Sequence, residues 1–240
     1  MPNTRITKPK WKNHMQYGKV IYIILIAVGL MAGSMLFDMT APKTPDENKV
    51  DIYIVPSADV THVSDFTAQL LVDGQAYERS RDAANGIDVD APDYAPALRE
   101  VNIYSIGYNE DNDDGYGVQA FMVRTMAGEG DVYVVTRAQL ESLMDMGGLI
   151  PLDDYIAQGV IDPGSRDLTK TTYSEPVEEG KAPTGAEHVY AIACEPMRQA
   201  FFDLTGVDSQ DMFLVVMSYS KNPDTSAAVL GSIARQLDAQ

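Results

Sequence analysis

The sequence predicts an α/β domain built on a mostly parallel sheet with flanking helices, preceded by one transmembrane helix. Three observations carry this. Strand-like and helix-like periodicities alternate along residues 50–240. Residues 131–135 form a short, nearly all-apolar run that suits a central strand buried on both faces. Residues 20–37 are an unbroken apolar stretch without a single charge. Alternation of the two periodicities is what a chain shows when helices cover a parallel sheet.

The apolar stretch comes first in chain order. At about 1.5 Å per residue, 18 helical residues reach about 27 Å, close to the hydrocarbon thickness of a bilayer. A cleaved signal peptide is the competing reading. Its apolar region is shorter and ends at a small-x-small site, whereas Ala32, Gly33 and Ser34 lie inside the run and are followed by Met35, Leu36 and Phe37. The run is therefore expected to be an uncleaved signal anchor. Residues 1–19 form a basic stub with Arg5, Lys8, Lys10, Lys12 and Lys19 and no acid, and Asp38, Asp46 and Glu47 follow the run. The positive-inside rule then puts the N-terminus in the cytoplasm and the C-terminal domain outside the cell, on a single-pass cell-membrane anchor. Residues 38–49 read as a solvated linker and residues 50–240 as the exported domain.

Charge sharpens the division. Of 18 basic and 35 acidic residues, net −17, five basic ones lie in residues 1–37, so residues 38–240 carry −22. A body that acidic repels a phosphate backbone, and no basic face offsets it, so nucleic acid is not an expected partner. The one cysteine, Cys194, allows no internal disulfide, and stability must come from an apolar core.

Within the body, residues 50–55 read as a strand ended by Pro56, and residues 101–106 as a second strand. Residues 117–126 form a helix with Val118, Phe121, Met122 and Thr125 as its inward stripe. After the strand at 131–135, Thr136 and Gln139 make a capping-box pattern for a helix burying Leu140, Leu143 and Met144, stopped at Gly147 and Gly148. Residues 188–194 and 212–218 read as strands. Asn222 and Pro223 open a last helix with Ala227, Leu230, Ile233, Ala234 and Leu237 facing inward. Residues 78–96 and 159–185 are expected to be long surface loops.

At these residues the chain resembles a known family. Residues 119–135, with the turn Gly128, Glu129, Gly130, Asp131, and residues 140–156, with Gly148, Leu149, Pro151, Leu152, Asp153, Asp154 and Tyr155, are similar to the first lobe of bacterial extracellular solute-binding proteins of the type II periplasmic-binding fold. Residues 218–230, where Asn222 precedes an Ala-rich helix, resemble a later passage of that family. The likeness covers residues 115–156 best, then 187–238. It implies a periplasmic-binding-protein-like architecture, and the short body implies a reduced second lobe. An anchor stands where the family usually carries a lipid-modified cysteine.

Catalytic and metal chemistry find little footing. Asn109 to Asp114 followed by Gly115 resembles half an EF-hand loop, but the twelfth position would be Phe121 where a bidentate Glu is needed, which leaves a solvated acidic loop or a weak calcium site of another type. Gly115, Gly117 and Ala120 match a dinucleotide fingerprint, yet the acidic run before them opposes a pyrophosphate. His188 and Cys194, six residues apart on one strand, would lie about 20 Å apart, too far for a thiol–imidazole dyad. His62 has no partner at metal-ligand spacing, and no Gly-x-Ser-x-Gly elbow occurs. No catalytic residue, cofactor or metal is assigned, and the protein is not expected to be an enzyme.

In a parallel α/β sheet, ligands meet the carboxyl ends of the strands, beside free helix N-termini. The candidate ligand-binding residues are Ser57 and Asp59 after the first strand, Tyr108, Asp114 and Tyr116 after the second, Thr136 and Arg137 after the third, and Glu195 after Cys194. Arg137 is the expected anion or sugar contact and Tyr116 the expected stacking platform. Two functions follow. The first is a membrane-anchored extracellular domain that captures or senses a small molecule for a transporter or envelope partner. The alternative is a non-catalytic surface scaffold that keeps the binding-protein fold without ligand capture.

Overall fold

The computed structural model describes residues 8–40, 43–108, 115–174 and 185–238, with the side chains of residues 8–21, 38 and 39 outside the description. The chain divides into two compact units, residues 1–43 and 44–240. Within the first, the described residues include one helix, α1 (Lys8–Thr40), whose described apolar side chains, Ile23, Leu30 and Phe37 among them, are exposed. Among the described residues no helix is long and apolar enough to cross a membrane. The predicted span at 20–37 begins with Val20 and Ile21, whose side chains lie outside them.

The second unit is a mixed α/β fold around a five-stranded sheet. Its strands are β1 (Lys49–Pro56), β2 (Glu100–Tyr108), β3 (Val132–Thr136), β6 (Ile192–Ala193) and β7 (Met212–Val216), in the order β2-β1-β3-β7-β6. β1 pairs in parallel with β2 and β3, while β7 runs antiparallel to both β3 and β6. Four strands thus point one way and β7 returns between two of them, so the sheet is mostly parallel. A separate two-stranded sheet pairs β4 (Thr172–Ser174) with β5 (Glu187–Val189).

Alternation along the strands feeds two cores. Val50, Ile52, Ile54, Val132, Val134, Leu214 and Val216 point to the face covered by α2 (Ser64–Ala84) and α7 (Pro223–Asp238). Tyr53, Val55, Tyr133, Val135, Phe213 and Val215 point to the face covered by α3 (Tyr116–Ala127) and α4 (Arg137–Asp145). Both faces are buried, which is why residues 131–135 read as continuously apolar. Each large aliphatic side chain withdrawn this way contributes about 1.5–3 kcal/mol.

α7 is the central helix. Every residue from Thr225 to Ala234 is buried, and α2, α5 (Asp153–Ala157) and α6 (Arg198–Thr205) all touch it. Its five predicted inward residues are all in the core. Two polar fastenings hold it. The carboxylate of buried Glu78 accepts from Leu98 N–H (2.8 Å) and from the Thr225 hydroxyl (3.0 Å). The guanidinium of Arg166, a side chain only 1% exposed, grips Asp238 with two bonds of 2.6 and 2.7 Å and donates through Nε to the Ala193 carbonyl (2.7 Å).

Four expectations change. The loop predicted from residue 78 starts only after α2 ends at Ala84; the buried side of α2 includes Leu70, Gly74 and Glu78, so no apolar stripe announces it. The stripe of α3 is rotated from the predicted one. Phe121 is buried, but Val118 and Met122 are exposed, because Gly117 seats the helix against β2. A Cβ on Gly117 would lie 2.5 Å from the Tyr108 Cα, and Gly115 caps the helix at φ 63°, so the glycines of the apparent fingerprint serve the strand–helix turn. The single strand expected over 188–194 is two strands in different sheets, and the chain crosses between them at Tyr190 and Ala191, where Tyr190 N–H bonds to the Thr171 carbonyl (3.0 Å). The segment 159–185, expected to be loop, contributes β4.

Candidate functional site

Register determines what gathers at the carboxyl edge of the sheet. Thr136, the last residue of β3, pairs with Met212, the first of β7, and Ala193, the last of β6, pairs with Phe213. The residues just beyond two parallel strand ends therefore meet the residue just before an antiparallel strand begins. Arg137, Glu195 and Asp211 are brought together in this way, although 58 positions separate the first two in sequence. With Lys170, Gln210 and Phe213 they line a depression of about 380 Å³.

Arg137 is held firmly. Its Nε and Nη2 donate to Asp211 Oδ1 at 3.0 and 2.8 Å, and its guanidinium carbon lies 4.6 Å from the centre of the Phe213 ring. Charge-assisted pairing of this forked kind fixes direction as well as distance, and the ring adds a cation–π contact. The hydrogen bonds that Arg137 donates to Asp211 raise its pKa against the opposing effect of burial. Asp211 itself has φ 55°, the only non-glycine positive φ among the described residues. Aspartate tolerates the left-handed region better than most residues, and here that conformation turns the chain into β7. Tyr173, from β4, stands close enough for Arg137 to act on its phenol, whose pKa is raised chiefly by burial.

The other predicted residues that the structure describes do not line the depression. Pro56 pairs with Tyr108, so Ser57 follows the end of β1 beside Tyr108, the last residue of β2; Ser57 is exposed and Tyr108 packs partly against the α3-side core. Asp59 accepts from Thr61 N–H (2.9 Å) and the Thr61 hydroxyl (2.6 Å), and those bonds hold its carboxyl below the usual range. Its carboxylate thus closes its own turn. Thr136 stands at the N-cap of α4 with its N–H bonded to Gln139 Oε1 (2.9 Å), the Gln139 half of the predicted capping box, while its own buried hydroxyl has no hydrogen-bond partner among the described residues. Tyr116, the expected platform, is 71% exposed at the start of α3. Asp114, and with it the acidic loop at 109–114, lies outside the described residues.

The two members of the rejected dyad have different surroundings. His188 Nδ1 lies 3.2 Å from Asp153 Oδ2, whereas Cys194 is fully buried in the core, its thiol pushed well up by loss of water. Among the described residues no cluster of three His, Cys, Asp or Glu side chains could hold a metal ion.

Lys170, Asp211 and Phe213 were not foreseen. Asp211 and Phe213 flank the start of a strand whose direction the sequence does not reveal, and Lys170 lies in the segment 159–185. Chemically, the depression offers ammonium and guanidinium groups beside two carboxylates, with one aromatic wall.

No protein-family model matches the chain, and no curated protein does. Among solved structures, the chain is similar to the N-glycan transport solute binding protein (NgtS) from Streptococcus pneumoniae, at 17% identity and a TM-score of 0.26, over 60% of this chain. The similarity spans 24% of that protein's length, and at that TM-score it assigns neither fold nor ligand.

Proposed function

We propose that this protein is a non-catalytic binding domain of the extracellular solute-binding type, held at the cell membrane by residues 20–37 with its N-terminus in the cytoplasm. Its carboxyl-edge depression takes a small polar solute carrying both signs of charge, for a transporter or envelope partner. The observation that carries this reading is the convergence of Arg137, Glu195, Lys170 and Asp211 on one depression of about 380 Å³. That volume is within the usual range for small-molecule sites, roughly 300–1,000 Å³. A solute carboxylate meets Lys170 and the outer edge of Arg137, and a solute ammonium meets Glu195.

A scaffold reading is supported by a different observation. Residues 44–240 form one compact unit, and no second lobe stands opposite the depression among the described residues. The two readings part in a thermal-shift experiment on the full chain in detergent, with free amino acids and dipeptides as ligands. Capture gives a stabilisation that grows with the logarithm of ligand concentration, about 2.7 kcal/mol at a free concentration a hundredfold above Kd. Glu195→Lys, at an exposed position, abolishes that stabilisation without lowering the unliganded midpoint. A flat response to every ligand leaves the scaffold reading.

A further inference from the structure

The opposite, amino edge of the sheet carries a second recess, and nothing in the reading above uses it. Tyr104, Tyr53 and Tyr133 stand side by side on β2, β1 and β3, since Tyr53 is the register partner of both others. Their rings stack at centroid distances of 5.1 and 5.2 Å, each pair inclined by 28°. Arg124 lies 5.0 Å over the Tyr53 ring and donates to its hydroxyl at 3.1 Å. This ladder stops at an open end. β2 is the edge strand, so Tyr104 has no strand beyond it; its side chain is 41% exposed against 6% for Tyr53, and its hydroxyl makes no hydrogen bond among the described residues.

Beside the ladder is a depression of about 400 Å³, whose far wall is the turn Gly128, Glu129, Gly130 backed by Tyr219. A Cβ on Gly130 would sit 2.4 Å from the Tyr53 ring, so that turn is pressed against the aromatic floor. The rim is polar and its charges are spoken for. Lys49 bridges Asp46 (3.1 Å) and Asp51 (2.8 Å), Glu129 pairs with Arg124 (2.9 Å), and Asp131 accepts from Asp51 N–H and the Ser220 hydroxyl. Lys221 alone among the lining cations has no partner among the described residues.

That arrangement selects by charge. A cationic ligand would have to displace Lys49 or Arg124 from its carboxylates. An anion would face four carboxylates around one rim. A neutral ligand with closely spaced hydroxyls meets acceptors and donors together, and a flat C–H face finds an aromatic surface of which one ring is open to solvent. We propose that the amino-edge depression binds a pyranose sugar, with Tyr104 as its stacking platform and Lys221, Asp46 and Glu129 as its hydroxyl contacts. It shares no lining residue with the carboxyl-edge depression, so each stands or falls alone. A free monosaccharide and the end of an oligosaccharide present the same ring chemistry.

The test uses the full chain in lipid nanodiscs, because glucoside and maltoside detergents carry the very group in question. Glucose, galactose, mannose and N-acetylglucosamine are titrated by calorimetry and saturation-transfer NMR, each beside its β-linked disaccharide. Binding with a Kd on the order of 1 mM is expected for at least one sugar, a free energy near −4 kcal/mol. Tyr104→Ala weakens it at least tenfold, with the melting midpoint lowered modestly by loss of the stack on Tyr53, and Lys221→Ala weakens it about threefold with the midpoint retained. Tighter binding of the disaccharide identifies a glycan end as the natural form, and equal binding identifies a free sugar. No saturable response from any sugar, or a response that both variants leave intact, overturns the proposal.

Discussion

At Asp131 a carboxylate sits 8% exposed where the chain enters β3, accepting from Asp51 N–H (2.9 Å) and the Ser220 hydroxyl (2.6 Å), while its own carbonyl accepts from Met217 N–H (2.9 Å). Loss of water is the largest influence on it and raises its pKa, with the two hydrogen bonds working in the opposite direction. The sign of the linkage follows. The folded state holds this proton more tightly than the unfolded chain, so the contribution is stabilising at low pH. It is lost as pH climbs from the unfolded value of about 3.9 through the raised folded one. Asp131→Asn removes the titration and keeps the acceptor for Asp51 N–H. The variant should therefore lie within about 1 kcal/mol of the parent or above it at pH 7, and fall behind it as pH approaches 4. Urea midpoints across that range check this, and a penalty independent of pH would contradict it. Asp131→Ala, by contrast, also strands a buried N–H and should cost about 1–3 kcal/mol at pH 7, and more as pH approaches 4, because it too removes the titrating group.

Among the elements, α7 shows how a helix buried along Thr225–Ala234 is pinned at its far end. Arg166 has almost no access to solvent, whereas the Asp238 side chain keeps 30% of its own. Removing one partner of such a pair is unequal in its effect. Asp238→Ala leaves a guanidinium buried without its counter-charge and should cost about 3–5 kcal/mol, while Arg166→Met leaves a carboxylate that water can reach and should cost less. Chemical denaturation of the two variants side by side decides it; equal losses would show that the pair acts through packing alone. The same helix was fully legible in the sequence, because Asn222, Pro223 and an inward stripe at helical spacing all agree. α2 was not legible, since Gly74 and Glu78 occupy its buried side and neither registers as apolar. The rotated stripe of α3 has a related cause: Gly117, the residue that seats the helix, contributes closeness rather than hydrophobicity. The site divides similarly. Arg137 and Glu195 follow parallel strand ends and could be named from periodicity, but Asp211 precedes a strand whose antiparallel direction is set by tertiary pairing.

For the molecule as a whole, the decisive quantity is the separation of its charges. The five basic residues before position 38 and the −22 that follows belong to different parts of the chain. The body must fold against its own repulsion. Several of its acids are paired, as in Arg79–Asp90, Arg137–Asp211 and Arg198–Asp208, but 13 basic residues cannot neutralise 35 acidic ones. Exposed ion pairs contribute about 0–1 kcal/mol each and weaken with salt, whereas the summed repulsion of unpaired carboxylates is relieved by it. With so large an excess of one sign, relief outweighs the loss. The melting midpoint of the full chain in detergent should therefore rise as sodium chloride increases from about 10 mM to about 500 mM, over which the screening length contracts from roughly 30 Å to under 5 Å. The rise should flatten once that length falls below the spacing of neighbouring surface acids. A non-ionic osmolyte at matched osmolality, which leaves the Debye length unchanged, should not reproduce the plateau. A midpoint that falls with salt would mean that the surface ion pairs, and not the excess of carboxylates, govern the electrostatics of the fold.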